Sequence, residues 1–301
     1  MEGIWQDIFS GISLGSILIL VALGLSIIYG LAGIINMSHG EFIMIGAYTT
    51  YCVQQLFIAY LPPEWIDWSF FLSLPISFLV ASLFGLLIER LIIRHLYSRP
   101  LESLLATWGV SLILIQLARN IFGDLTSVQT PVILSGGFEI TKELTLPYNR
   151  LFIIFLSTGM FAFIYLLFQK SKLGVKIRAV TQNRSMSACV GISTKRIDML
   201  TFMLGSGLAG IAGCAITLIG NIVPDMGQSY IVDSFLVVVT GGVGKLVGCV
   251  ASGLGIGIFS KIFEINFEAV YGKVLMLVLI IVFLQYRSKG LFPDKGRVGN
   301  D

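Results

Sequence analysis

The residues able to do chemistry are few, and they stand in an apolar setting. Asn36, Ser38, His39 and Glu41 gather in Gly30–Glu41, where three glycines interrupt an otherwise hydrophobic run. A second interruption, Thr240-Gly-Gly-Val-Gly-Lys245, falls in the other half of the chain. Backbone that leaves helical hydrogen bonding at membrane depth is tolerated only when buried in protein or lining a wet cavity. A pair of glycine-broken apolar segments, one in each half, therefore points to a solute pathway. The competing reading is that Asn36 and His39 cap helix ends and bond a neighbouring helix, with Glu41 at the membrane interface.

Catalytic arrangements are missing. The chain has two histidines, His39 and His95, and no HExxH, no GxSxG and no metal-ligand cluster, so neither a catalytic nor a metal site is expected. Gly241-Gly-Val-Gly-Lys245 superficially matches a phosphate loop, but Val239 stands where the first glycine belongs and Leu246 replaces the Ser or Thr. Any ATP-driven step must use another subunit, and no cofactor is expected. Cys52, Cys189, Cys214 and Cys249 are far apart, which predicts neither disulfides nor a metal site.

The elements that must position these groups are membrane helices. Of 301 residues, 55% are hydrophobic and 12% charged, against about 25% charged in a soluble domain. Stretches free of acidic or basic residues run from Ile8 to Ser38, Ser69 to Ile88, Ser103 to Ala118, Leu151 to Gln169 and Met199 to Pro224. Each is near or above the roughly 18–20 apolar residues that cross a bilayer. The expectation is an all-α integral membrane protein, a polytopic helical bundle of about 8 to 10 transmembrane segments with two glycine-broken segments. Spans are placed near 8–29, 39–60, 69–93, 101–122, 150–168, 199–220, 231–243, 246–263 and 272–286, in a single domain over 1–301. The first apolar run has no basic region before it and reads as a retained helix.

Basic residues mark the inside. Arg90, Arg94, His95 and Arg99 lie in one loop, seven lysines and arginines in Lys170–Asp198, and four more in the tail from Arg287. Basic loops prefer the cytoplasm. Leu61–Trp68 and Gly123–Asn149 then face outward, as does the amino terminus. The net charge of +3 gives no reason to expect nucleic acid as a partner. Within the segment 170–198, short helices parallel to the membrane are expected, with Ala179, Val180, Met186 and Ala188 as apolar anchors; they would lie on lipid or dock into a partner. Gly205, Ala209 and Gly213, and again Gly253 and Gly257, have the spacing of closely packed helices.

Gly24-Leu-Ser-Ile-Ile-Tyr-Gly-Leu-Ala-Gly-Ile-Ile-Asn-Met-Ser-His-Gly-Glu-Phe-Ile-Met-Ile-Gly-Ala-Tyr48 resembles the amino-terminal signature of the branched-chain amino acid permease family of ABC importers. Three further stretches, Arg99–Leu114, Asn221–Phe235 and Val238–Gly248, resemble the urea permease subunits within that family. The resemblance implies the permease subunit of an ATP-driven importer for urea, in a bacterial cytoplasmic (inner) membrane. Branched-chain amino acids or short-chain amides are the alternative solutes. It also implies a second homologous permease, two cytoplasmic ABC ATPases and an extracytoplasmic solute-binding protein as partners. Gly174, Lys176, Arg178, Ala179 and Gly191 would then belong to the element that couples to the ATPases. Asn36, Ser38, His39, Thr107, Trp108, Gly241 and Gly242 are the pathway candidates, offering polar groups and one flat apolar wall. A passive urea channel would not need the long basic segment. A membrane enzyme would need the ligand or nucleophile cluster that the sequence lacks.

Overall fold

The computed structural model describes residues 2–33, 36–97, 99–141, 144–287 and 290–292. Its helices, in chain order, are α1 (Glu2–Ala32), α2 (His39–Tyr60), α3 (Ile66–Leu91), α4 (Pro100–Phe122), α5 (Tyr148–Lys170), α6 (Lys172–Gln182), α7 (Arg184–Cys189), α8 (Thr194–Ile216), α9 (Met226–Gly241) and α10 (Leu246–Tyr286). An antiparallel hairpin, β1 (Gly137–Thr141) and β2 (Leu144–Pro147), interrupts the α4–α5 connection. Among the described residues seven helices are long and apolar enough to cross a membrane, with Val270–Tyr286 a shorter apolar one. The protein is a multi-pass, all-helical membrane protein, as its composition requires.

α1 and α8 form the centre and are buried along most of their length, whereas α4 and α5 expose most of theirs. Glycine makes that centre possible. A Cβ on Gly213 would lie 1.9 Å from the Ile43 carbonyl oxygen, one on Gly46 2.1 Å from that of Gly210, and one on Gly24 2.4 Å from that of Gly205. α8 thus touches α1 and α2 backbone to backbone. Gly257 repeats the device against Gly15 on α1, where a Cβ would come within 2.4 Å of the amide nitrogen. With no water-driven hydrophobic effect between helices in lipid, such close approach is what holds them together.

Two helices start inside the bundle. The His39 Nε2–H donates to the Val21 carbonyl (3.3 Å), so α2 begins beside the interior of α1 and not at its end. The first turn of α9 meets the first turn of α2, where a Cβ on Gly40 would lie 2.4 Å from the Gly227 carbonyl oxygen. From there the 16-residue α9 runs toward the end of α1, where Gly30 touches Gly244. The expected span at 231–243 is therefore a part-depth helix, because the chain re-enters the bundle after α8. The second glycine interruption is a turn between helices. In the second, Gly242 and Gly244 have φ of 101° and 75°, which favours glycine. The first includes residues 34 and 35, which lie outside the described set.

α10 is not one straight rod. Helical bonding continues from Leu246 to Tyr286, but a Cβ on Gly272 would lie 2.8 Å from the amide nitrogen of Glu264. Eight residues of straight helix would separate them by about 12 Å. The helix folds back between these positions, giving the two spans expected at 246–263 and 272–286.

Connections segregate by charge. On one face the Val132 amide donates to Asp67 Oδ1 (2.9 Å), Gln54 bonds the Gln129 backbone, Thr126 bridges Ile222, and the Asn149 amide donates to the Leu218 carbonyl. On the other, basic face the tail returns to α9, with Leu291 N–H donating to Thr240 O (2.8 Å). Substituting Gly213→Leu forces the α2–α8 contact apart and is expected to cost about 1–3 kcal/mol as an overpacked core. Gly159→Ala on α5, where nothing lies within 4 Å of the added carbon, is expected to be neutral or stabilising by about 0.5–1 kcal/mol. Thermal unfolding in detergent distinguishes the two.

Candidate functional site

α4 is apolar and exposed on most of its surface, but Ser103, Thr107 and Ser111 recur every fourth residue and are buried. Residues four apart share a helix face, and this face meets the segment leading into α2. The Met37 amide donates to Thr107 Oγ1 (3.1 Å), whose own proton goes to the Ser103 carbonyl (2.9 Å). Ser111 Oγ donates to Glu41 Oε1 (2.7 Å). Asn36 Oδ1 accepts from Ser38 Oγ (2.6 Å) and from the Ser38 amide (3.1 Å). These bonds tie Asn36, Ser38, Glu41 and Thr107 into the buried junction of α4 with the start of α2, beside the meeting point of the α2 and α9 amino-terminal turns, while the His39 ring turns to α1.

The cluster is incompletely satisfied. Asn36 Nδ2, His39 Nδ1 and Glu41 Oε2 are buried without a hydrogen-bond partner. Since Nε2 of His39 faces a carbonyl, which can only accept, the ring proton of a neutral His39 sits there and Nδ1 is left as a vacant acceptor. Each unsatisfied buried group costs about 1–3 kcal/mol. These groups are spread around the start of α2: the His39 ring faces α1 at Val21, and the Glu41 carboxylate faces α4 at Ser111.

Sequence expectation and structure part at three places. Glu41 is not at an interface but wholly buried in the bundle (0% exposed). Trp108 is half exposed (50%) on the outer surface of α4, away from the face that carries Thr107. Gly241 and Gly242 lie at the opposite end of α9, where Phe292 N–H donates to the Gly241 carbonyl (3.3 Å) and a Cβ on Gly241 would strike Gly248. The opened backbone there is closed by the chain's own tail. Ser103 and Ser111 were missed, although the Ser-x3-Thr-x3-Ser spacing carried the signal.

On the basic face, Ser171 and Asn183 cap α6 and α7 by accepting from the amides of Gly174 (3.0 Å) and Met186 (2.9 Å). Gly174, Ile177 and Val180 form the buried side of α6, with Ile177 and Val180 packed against Ile197. Gly174 is a packing position, since a Cβ would lie 2.2 Å from the Phe168 carbonyl oxygen. Lys176 and Arg178 are exposed, Ala179 is half-buried, and Gly191 closes the turn after α7 with a φ of 87°. Arg178 donates to the Phe168 carbonyl. The sequence reading did not single out the anchor of α7: Arg184 pairs with the buried Asp198 carboxylate and lies over the Tyr97 ring, 4.8 Å from its centroid. Burial, together with the nearby Asp198 and Glu89 carboxylates, pushes the Tyr97 phenol above its ordinary pKa, so it remains a neutral donor toward Glu89 (3.5 Å).

Comparison with known proteins follows the same lines. Residues 7–284 match the family described as branched-chain amino acid transport system, permease component. The chain is 30% identical to the high-affinity branched-chain amino acid transport system permease protein BraD of Pseudomonas aeruginosa, over 95% of this chain and 94% of that one. It is 28% identical to the permease LivH of Escherichia coli with the same coverage, and 27% identical to a probable LivH of Methanocaldococcus jannaschii over 92% and 88%. No solved structure matches the chain. The buried polar re-entrant core, the basic face and these matches agree: the chain belongs to the branched-chain amino acid transport permease family of ABC transporters.

Proposed function

We propose that this chain is a membrane-pathway subunit of an ABC importer for branched-chain amino acids. The carrying observation is the meeting of the α2 and α9 amino-terminal turns inside the bundle, at Gly40 and Gly227, with the buried and incompletely satisfied Asn36, His39 and Glu41 around the start of α2. Helix amino termini carry partial positive charge and suit a carboxylate, while Glu41 suits an ammonium group. That combination favours a zwitterion over neutral urea. Urea, expected from three local stretches, has no support among the matched relatives, which are named for branched-chain amino acids. As packed, the cluster is enclosed, so transport requires α2, α4 and α9 to separate.

The rest of the importer follows from the same reading. A related permease and two ATPases complete the assembly, an extracytoplasmic binding protein delivers the solute, and the basic face lies in the cytoplasm of a bacterial inner-membrane system. α6 and α7 would dock into an ATPase through their outer side, where Val175, Lys176, Met186 and Val190 are exposed. Gly174 and Ala179 support that side from beneath, and Gly191 sets its far end.

Three measurements test this. Reconstituted with its partners, the importer is expected to take up labelled leucine in an ATP-dependent way, competed by isoleucine and valine and not by urea; competition by urea alone would overturn the solute assignment. Asn36→Ala and Thr107→Ala are each expected to lower leucine uptake about tenfold, roughly 1.4 kcal/mol, in importer that still purifies with its ATPases; unchanged uptake would remove the cluster from the pathway. Arg184→Ala leaves Asp198 buried without its counter-charge and is expected to weaken both thermal stability and uptake. Adding Asp198→Asn should restore part of the stability.

A further inference from the structure

An opening on the outward side is separate from the buried residues at the start of α2. A cavity of about 520 Å³ lies between α1, the re-entrant segment before α9, α9 itself and the two arms of α10. An adjoining recess of about 320 Å³ shares Leu14, Ser229, Asp233, Ser260 and Lys273 with it. Small-molecule sites span roughly 300–1,000 Å³. Its rim includes Gly220 and Asn221, next to Ile222, which bridges to Thr126 in the α4–α5 connection. This places the opening on the face away from α6 and α7. On its inner side it reaches Met226, the neighbour of Gly227 in the contact between the α2 and α9 termini.

The chemistry of the walls is split three ways. Asp233 on α9, with Glu264 and Lys273 on the two arms of α10, lines the cavity. Neither Asp233 nor Lys273 forms an ion pair within 4 Å among the described residues, whereas Glu264 is already paired with Lys261 at 2.9 Å. Ile216, Val223 and Met226 supply an aliphatic wall. With Glu264 taken up by Lys261, one acid and one base remain over an apolar floor, and they match the three parts of a free aliphatic α-amino acid: ammonium, carboxylate and side chain. An apolar cavity with a few converging polar groups is the usual build of such a site. A neutral diamide would leave both charges uncompensated. The fold-back at Gly272 is what makes the pair possible, since it returns Lys273 to the level of Ser260 and Asp233.

Resting on the proposed importer function, we infer that this cavity is an outward staging site for the zwitterionic amino acid, with Asp233 receiving the ammonium group and Lys273 the carboxylate. The solute released by the binding protein docks here before α2 and α9 part. Selectivity for aliphatic side chains is then checked a second time, by the permease itself.

The test uses the complete importer in proteoliposomes with Cys52 and Cys189 replaced by serine and Ser229→Cys introduced in the cavity wall. Reaction of this thiol with an impermeant maleimide is followed with leucine, urea, leucinol or 4-methylpentanoate present. Leucine near ten times its dissociation constant is expected to slow labelling about tenfold, and the three analogues, which lack one charge or both, to slow it less than about twofold. Asp233→Asn and Lys273→Gln should each abolish protection, and the swap of Asp233→Lys with Lys273→Asp should recover part of it. Because both neutralised variants keep the outer surface on which a binding protein docks, protection that persists in them reports docking alone and overturns the site. Equal protection by urea overturns it too, as does leucine uptake without protection. An importer that takes up urea and not leucine overturns the functional reading instead.

Discussion

Backbone contact through glycine is the constraint on which the rest of this structure depends. At Gly24–Gly205, Gly46–Gly210 and Ile43–Gly213 the chains of α1, α2 and α8 lie too close for any side chain between them. In a bilayer the backbone polar groups must be satisfied within the protein, and a tight three-helix centre supplies that enclosure. It shelters a helix that begins at Val21 level inside the bundle and a second that ends without crossing. Loosen the glycine seam and α2 and α9 would present their first turns to lipid.

The same enclosure accounts for the cluster around Glu41. Its members are individually expensive: a buried carboxylate with one idle oxygen, an imidazole with a vacant acceptor, an amide with unused donors. α4 meets part of their demand with Ser103, Thr107 and Ser111, and directs its apolar residues outward. What is left unmet lies around the start of α2, next to the amino-terminal turn of α9. The outward cavity is built differently, with Asp233, Lys273 and the Lys261-paired Glu264 beside an aliphatic wall.

The basic face follows another rule. α6 buries only Gly174, Ile177 and Val180 and keeps its charges outside, while α7 is tied down through Arg184 to Asp198 and Tyr97. A short helix fastened by one ion pair to the foot of α8 is mechanically joined to the helix at the centre of the bundle.

Much of this was legible in the chain. Composition required a membrane bundle, charge placed the connections on two faces, Gly205 and Gly213 announced close packing, and Asn36 to Glu41 marked the polar core, because each of these is a local property of residue type and spacing. Tertiary structure alone decided three matters. It showed that α9 stops short of a crossing, that Trp108 and Gly242 belong elsewhere, and that Gly272 folds α10 back to set Lys273 opposite Asp233. Depth and facing depend on which helices meet, and hydropathy along one segment is blind to the partner it packs against.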